Sequence, residues 1–202
     1  LWVMVDDMRV IPGWQYANVA DGTCTLTITK DASRRKIRIG LPDTALAGFG
    51  TNAGAAVGAT VPGVQVAMIG ASYIQGVNIA AEGGRVTAGT VAGELTQETG
   101  WDVWRLAHSG SGYIAQGDVG TSSGPFGSPA RMAALAALPA LDAIMVCSTA
   151  NDWPFTPAAV VAAAQSLWAA IKTARPTTPL IVTGVESGRA GDTTLAALNA
   201  AL

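Results

Sequence analysis

Three short segments of the chain carry groups that could act on an ester or amide carbonyl. Ser72 follows an apolar run and is preceded by Gly70 and Ala71, a setting in which a serine hydroxyl can serve as a nucleophile. The segment around Gly110 is rich in glycine and serine, so its backbone N–H groups can approach a developing oxyanion. Asn151 comes after a third apolar run and could present its side-chain amide to the same charge.

Each segment also has a purely structural interpretation. Ser72 can cap the helix or turn that follows it, Gly110 can belong to a flexible turn, and Asn151 can cap a helix or form an Asx turn. The residues after Ser72 lack the second glycine of the G-x-S-x-G nucleophile elbow. Gly110-x-Gly112 lacks the third glycine of a dinucleotide-binding loop. The chemical interpretation therefore depends on whether the three segments meet.

The spacing of the three segments predicts that they do meet. Ser72 and Gly110 are 38 residues apart, and Gly110 and Asn151 are 41 residues apart. Each interval fits one strand, one helix and the return to a neighbouring parallel strand. Ligands of open parallel sheets bind at the carboxyl ends of the strands. We therefore expect the three segments to converge on one edge of a sheet.

The apolar pattern predicts the elements that hold these segments. Short apolar runs, typical of strands buried on both faces of a parallel sheet, cover residues 64–69, 141–147 and 180–183, with a weaker candidate at 102–107. Thr156 and Pro157 form a good N-cap and first helical residue. An apolar stripe at helical spacing follows until Pro176: Val160, Val161, Ala164, Leu167, Trp168 and Ile171. Strands alternating with helices predict an α/β fold with a parallel sheet.

Residues 1–62 follow a different pattern, which changes at Pro62-Gly63. Alternating apolar and polar residues without a helical period predict β-strands for this segment. The whole sequence of 202 residues is long enough for one domain with a substantial core, or for one domain and part of another.

Composition excludes several classes of function. The formal net charge is −2, from 12 Lys+Arg and 14 Asp+Glu, so the chain lacks the basic excess of nucleic-acid binders. No uncharged apolar stretch reaches the length of about 18 residues that a membrane span needs. One histidine and two distant cysteines do not make a usual zinc site. We therefore expect no nucleic-acid partner, no membrane span and no metal.

The same segments resemble the conserved blocks of the SGNH (GDSL-type) hydrolase family. Residues 69–76, IGASYIQG, resemble the first block, G-D-S-x-x-x-G, with Ala71 in place of aspartate. Gly110 falls at the oxyanion glycine of the second block. Residues 149–152, TAND, resemble the third block, G-x-N-D, with Thr149 in place of glycine. The strings GWDV at 100–103 and GSGYI at 110–114 are similar to a subgroup from actinobacteria and their phages, in which a β-sandwich precedes the hydrolase domain.

This resemblance implies a domain organisation. A three-layer, flavodoxin-like α/β hydrolase domain with a parallel sheet is expected over residues 63–202, after a jelly-roll-like β-sandwich segment over residues 1–62. The family's fourth block, D-x-x-H, holds the general base, and no such block occurs in the sequence. The one histidine, His108, lies in the oxyanion segment, where we expect a loop or pocket-wall residue. We therefore expect a piece of a longer protein, incomplete at the start of the sandwich and lacking the last strand and D-x-x-H block.

The resemblance also implies an activity. Ser72 is the expected nucleophile of a serine esterase, and the N–H groups of Ser72 and Gly110 with the Asn151 amide are the expected oxyanion hole. The implied reaction is deacetylation or deacylation of a glycan or cell-envelope ester through an acyl-enzyme, with no cofactor.

Three aromatic residues near these segments, Tyr73, Tyr113 and Trp153, are candidates for stacking on sugar rings, although core packing explains each of them as well. The implied location is extracellular or virion-associated, with other virion tail proteins as further partners. The alternative from another class is a catalytically incomplete structural or glycan-binding module, for example of a phage tail.

Overall fold

The computed structural model describes residues 63–75, 91–117 and 124–184, together with residues 2–5, 8–9, 37–40 and 200. From residue 63 onward the elements are β4 (Gln65–Gly70), α1 (Ser72–Gln75), α2 (Val91–Thr99), β5 (Asp102–Ala107), α3 (Pro129–Ala137), β6 (Ala143–Cys147), a 3₁₀ turn (Ala150–Asp152), α4 (Pro157–Ala174) and β7 (Leu180–Thr183). Before them come β1 (Trp2–Val5), β2 (Met8–Arg9) and β3 (Ile37–Gly40).

Strands β4 to β7 form a parallel sheet in the order β5-β4-β6-β7. The central strand β4 pairs with β5 from Gln65↔Asp102 to Gly70↔Ala107, and with β6 from Val66↔Ala143 to Ile69↔Val146. This sheet confirms the α/β fold with a parallel sheet that the sequence predicts, and all four predicted strands occur within two residues of their expected bounds.

Helices cover both faces of this sheet, because β4 is buried on both sides. Its side chains alternate between two apolar clusters, and all of them from Val66 to Ile69 are fully buried. Val66 and Met68 pack with residues of α1 and α2, and Ala67 and Ile69 pack with residues of α3 and α4. The result is a layer of helices, a sheet and a second layer of helices, as an apolar run with no polar alternation requires.

Helix α4 confirms the helix predicted after Thr156-Pro157. The Thr156 hydroxyl accepts a hydrogen bond from the N–H of Ala159 (3.4 Å), and Pro157 is the first helical residue. The predicted stripe faces the sheet, with Val160, Ala164, Leu167 and Ile171 buried and Val161 and Trp168 partly buried against them.

Strands β1 to β3 form a separate antiparallel sheet in the order β2-β1-β3. Strand β1 pairs with β3 from Trp2↔Gly40 to Val5↔Ile37. The rest of residues 1–62 lies outside the described residues, so the β-sandwich segment stays a prediction. The expected lack of a last strand falls on residues 185–202, of which only residue 200 is described. None of the helices in the described ranges combines the length and the apolar character that a bilayer crossing needs.

The two helices on one face are joined end to end by Arg175, which follows the last residue of α4. Its Nη2 donates to the carbonyl oxygens of Leu135 (2.9 Å) and Ala136 (3.0 Å), and also to that of Leu138. The last carbonyls of a helix have no partner within the helix, so this guanidinium caps α3 from outside and offsets the negative end of its dipole.

Replacing this cap should weaken the packing of α3 against α4. We expect Arg175→Met to lower the free energy of unfolding by about 1–2 kcal/mol, since the lost hydrogen bonds involve a charged, half-buried donor. Urea denaturation measures the change. Gln165→Ala, at an exposed position of the same helix, should leave the midpoint nearly unchanged, and an equal effect of both substitutions would contradict the capping role.

Candidate active site

The segments that hold Ser72, Gly110 and Asn151 lie at the same edge of the parallel sheet. Ser72 is the first residue of α1, two residues beyond the end of β4. Gly110 follows β5, and Asn151 lies in the 3₁₀ turn after β6. Because β5 and β6 are the two neighbours of β4 and run parallel to it, their carboxyl ends flank the segment that carries Ser72. The catalytic roles of the three residues stay predictions.

Hydrogen bonds join the turn after β5 to the end of β4. The N–H of His108 donates to the carbonyl of Gly70 (3.3 Å), and the hydroxyl of Ser111 lies 3.5 Å from the same oxygen. The N–H of Ser109 donates to the side-chain oxygen of Gln75, in α1. The turn at residues 108–111 is therefore attached to both the strand and the helix that precede and follow Ser72.

Asn151 joins the third segment to the second. Its Nδ2 donates to the carbonyl of Ser111 (2.9 Å), and its backbone N–H lies 3.3 Å from the hydroxyl oxygen of Thr149. Thr149, which stands where the resembling motif has glycine, thus caps the 3₁₀ turn that presents Asn151. A carboxamide carries two donor hydrogens, so one remains for a ligand.

The turn after β5 also exposes an unused backbone donor. Gly110 has a φ of 70°, a left-handed conformation that favours glycine. Within the described residues, no acceptor takes a hydrogen bond from the N–H of Gly110 or of Ser72, and none contacts the half-buried Ser72 hydroxyl. These free N–H groups, with the second hydrogen of Asn151, are the kind of donors that stabilise an oxyanion.

The sequence analysis missed the strongest interaction of the site, which Asp152 makes. Its carboxylate is 1% exposed and accepts three backbone N–H groups: those of Tyr113 (2.7 Å), Ile114 (3.0 Å) and Ala115 (2.9 Å). Three charge-assisted hydrogen bonds offset the cost of burying the charge. Asp152 therefore fixes the loop that continues from Gly110 onto the turn that carries Asn151.

Gly112 makes this clamp possible. A Cβ atom at this position would lie 2.6 Å from the carboxyl carbon of Asp152, closer than real Cβ contacts allow. Gly112 is held further by hydrogen bonds of its own, from its N–H to Ala115 (3.0 Å) and from the N–H of Phe126 to its carbonyl (2.8 Å). The aspartate after Asn151 and the second glycine of Gly110-x-Gly112 were the available signals for this contact.

The three candidate aromatic residues separate into two groups. Tyr73 and Trp153 are 71% and 55% exposed, so each has a ring face open to a ligand. Tyr113 is only 4% exposed, and its ring packs edge-on against Phe126 with centroids 5.3 Å apart. Its hydroxyl lies 2.9 Å from that of Ser148, and burial raises the pKa of Tyr113. Sugar stacking by Tyr113 is thus incompatible with this structure, because its ring is already enclosed by the core.

His108 lies directly after β5 and is exposed. Partial burial, and then the positive charge of Arg131, lower the pKa of its imidazole below the ordinary value, so the ring is neutral at pH 7. Across the described ranges, no group of three or more metal-binding side chains comes together.

No protein-family model matches the sequence. No curated protein matches it either. Solved structures, in contrast, are similar in fold. A carbohydrate acetylesterase from Sinorhizobium meliloti has a TM-score of 0.53 at 14% identity, covering 69% of this chain and 77% of that one. The aryl esterase of M. smegmatis has a TM-score of 0.53 at 17% identity, with the same coverage of 69% and 77%.

Larger enzymes also share the fold. A family two carbohydrate esterase from Clostridium thermocellum, solved with cellohexaose, has a TM-score of 0.53 at 12% identity and is matched over 72% of this chain and 51% of that one. The chain spans about half the length of this enzyme and of the family two esterase from Cellvibrio japonicus (48%). At these identities the likeness shows the fold alone: an α/β fold with a four-stranded parallel sheet, like that of SGNH hydrolases.

The Asp152 clamp gives a direct test by mutation. Asp152→Ala leaves three backbone N–H groups without their acceptor, so we expect the free energy of unfolding to fall by roughly 3–5 kcal/mol. Urea denaturation measures it, and Gly112→Ala should lower stability in the same direction. Asp142, an exposed carboxylate that accepts one N–H, that of Gln65 (2.8 Å), is the matched control. A loss in Asp142→Ala as large as that in Asp152→Ala would refute the clamp.

Proposed function

We propose that the protein is a serine esterase that removes acyl groups from a glycan or a cell-envelope ester through an acyl-enzyme. One observation carries the proposal. The Ser72 hydroxyl, a free N–H at Gly110 and the Asn151 amide lie at the carboxyl edge of a sheet whose fold is shared with carbohydrate and aryl esterases. These are the nucleophile and the donors that acyl transfer requires.

The proposed reaction begins with attack by Ser72. Its Oγ forms a bond to the ester carbonyl carbon, the hydroxyl proton passes to a base, and the carbonyl oxygen becomes an oxyanion. The N–H groups of Ser72 and Gly110 and the free hydrogen of Asn151 donate to that oxyanion. Collapse of the intermediate breaks the bond to the alcohol oxygen, which takes up the proton. Water then attacks the acyl-enzyme in the same way and restores the hydroxyl.

The base is the part of this mechanism that the described residues do not provide. A serine hydroxyl is a poor nucleophile near neutral pH without one. The resemblance to SGNH hydrolases places a histidine and a carboxylate in a D-x-x-H block, which the sequence lacks. We propose that the full-length protein supplies this block, and that His108 forms part of the wall of the site.

A carbohydrate substrate is favoured by two aromatic residues beside the proposed nucleophile and amide. Tyr73 follows Ser72, Trp153 follows Asp152, and both rings are exposed, which suits stacking on sugar rings. Several of the similar structures are carbohydrate esterases, and one of them holds cellohexaose. Such a substrate agrees with an extracellular or virion-associated protein. The phage-tail association, with other tail proteins as partners, depends on the sequence resemblance alone.

The same exposed aromatics favour a second candidate, a glycan-binding module that keeps the fold without turnover. The two candidates differ in the reactivity of Ser72. An esterase reacts covalently with an electrophilic probe at that residue, whereas a binding module retains the glycan and leaves the probe unreacted.

Labelling with a fluorophosphonate probe tests the nucleophile. On full-length protein we expect a single labelled serine, with the Ser72 oxygen displacing fluoride from phosphorus, and no labelling in Ser72→Ala. We expect Asn151→Ala to slow labelling by about a hundredfold, since one oxyanion donor contributes on the order of 3 kcal/mol. In-gel fluorescence against time gives the rates.

Ser109→Ala is the matched control, because it removes another serine hydroxyl near the same edge. It should label at the wild-type rate. Labelling that persists in Ser72→Ala would show that another serine is the nucleophile.

Affinity electrophoresis in gels containing acetylated xylan tests the aromatic contact. Tyr73→Ala and Trp153→Ala should each reduce retention several-fold, because base-stacking-like contacts between rings and sugars are lost at an exposed site. Trp104→Ala is the control: Trp104 is also exposed, but it lies in the middle of β5 with its indole N–H on Gln65 (2.9 Å). Equal losses in all three variants would argue against a site at the carboxyl edge.

A further inference from the structure

Arg131 is a buried cation beside the proposed oxyanion hole. It is the third residue of α3 and is 4% exposed. Its Nη2 lies 3.3 Å from the hydroxyl oxygen of Ser111, and its guanidinium carbon lies 5.4 Å from the centre of the Phe126 ring. Within the described residues, its Nε and Nη1 atoms are buried and have no hydrogen-bond partner.

This arrangement is unfavourable for the stability of the fold. A buried charge normally has a partner of opposite charge, and no carboxylate of the described residues forms an ion pair with Arg131. A cation in the first turn of a helix also faces the positive end of the helix dipole, and that turn of α3 holds no acidic residue. Burial lowers the pKa of Arg131 to about 10, which still leaves the guanidinium charged at pH 7.

The charge lies directly behind the turn that carries Gly110. Arg131 donates to the Ser111 hydroxyl, which in turn donates to the carbonyl of His108 (2.6 Å). The carbonyl of Ser111 accepts the amide of Asn151 (2.9 Å). Both ends of the turn at residues 108–111 are therefore held by a residue that Arg131 contacts, and the free N–H of Gly110 lies within that turn.

We propose that Arg131 is a positioning residue of the oxyanion hole, and that its unbalanced charge stabilises the anionic tetrahedral state through the turn at residues 108–111. This inference rests on the proposed esterase function. The ester carbonyl is neutral before attack and negative afterwards, so a fixed positive charge lowers the energy of the transition state more than that of the bound substrate. The cost in stability and the gain in reactivity thus have the same origin.

Direct recognition of a negatively charged substrate is a different role, and the position of Arg131 disfavours it. The guanidinium is almost fully enclosed and lies behind Ser111. A substrate carboxylate could not form the paired hydrogen bonds by which arginine recognises such groups without displacing that turn. The charge therefore acts at a distance, on the oxyanion position.

The test compares rates of fluorophosphonate labelling in full-length protein, since attack on phosphorus also builds negative charge on an oxygen. We expect Arg131→Met to slow labelling by roughly tenfold to a hundredfold, less than loss of a direct donor, with retention on acetylated xylan unchanged. Arg131→Lys keeps the charge and should label within about fivefold of wild type. Leu135→Ala, a fully buried site on the same helix, should lower stability and leave the labelling rate of the folded protein unchanged.

The outcomes separate this inference from the proposed function. Wild-type protein that does not label at all overturns both. Wild type that labels, with Arg131→Met labelling equally fast, overturns only the role of Arg131. Should Arg131→Met fail to fold, Arg131→Lys decides: a near-normal rate supports the role of the charge, and a loss of more than tenfold in the folded variant contradicts it. Slowing in Leu135→Ala equal to that in Arg131→Met would show that the effect is structural.

Discussion

The arrangement of the site depends on one buried carboxylate. Asp152 accepts the N–H groups of three successive residues, Tyr113 to Ala115, and so ties the loop after β5 to the turn after β6. An irregular loop has backbone donors that no helix or sheet satisfies, and here a single side chain satisfies three of them. Because Asn151 precedes Asp152 and Gly110 lies three residues before Tyr113, the carboxylate sets the distance between the two candidate oxyanion donors without contacting either.

The two buried charges at this edge are treated in opposite ways. The carboxylate of Asp152 is fully hydrogen-bonded, whereas two of the three nitrogens of the Arg131 guanidinium have no partner in the described part of the chain. A matched charge stabilises a loop, and an unmatched one leaves a positive potential around it. The same few residues thus combine rigidity, supplied by Asp152, with a field that favours an anion, supplied by Arg131.

Periodicity in the sequence predicted most of the sheet and α4, and the even spacing of Ser72, Gly110 and Asn151 predicted their common edge. Burial on two faces leaves a recognisable apolar run, as in β4. The partners of Asp152 are backbone N–H groups 37–39 residues away, which leave no signature in residue types. Arginine is ordinarily exposed, so the burial of Arg131 had no signal in the sequence. The enclosure of Tyr113 depends on Phe126, from a distant loop.

The strand order has a consequence for how the chain acquires its structure. Strand β4 lies at the centre of the sheet, yet its neighbour β6 is 77 residues further along, as in the pair Val66↔Ala143. At ribosomal speeds of about 5–20 residues per second, β6 is synthesised roughly 4–15 s after β4. Throughout that interval the apolar stretch from Val66 to Ile69 has only one of its two neighbours to pair with. Contacts so distant in sequence form slowly, and nascent chains stalled at this stage would be the ones that chaperones must shield.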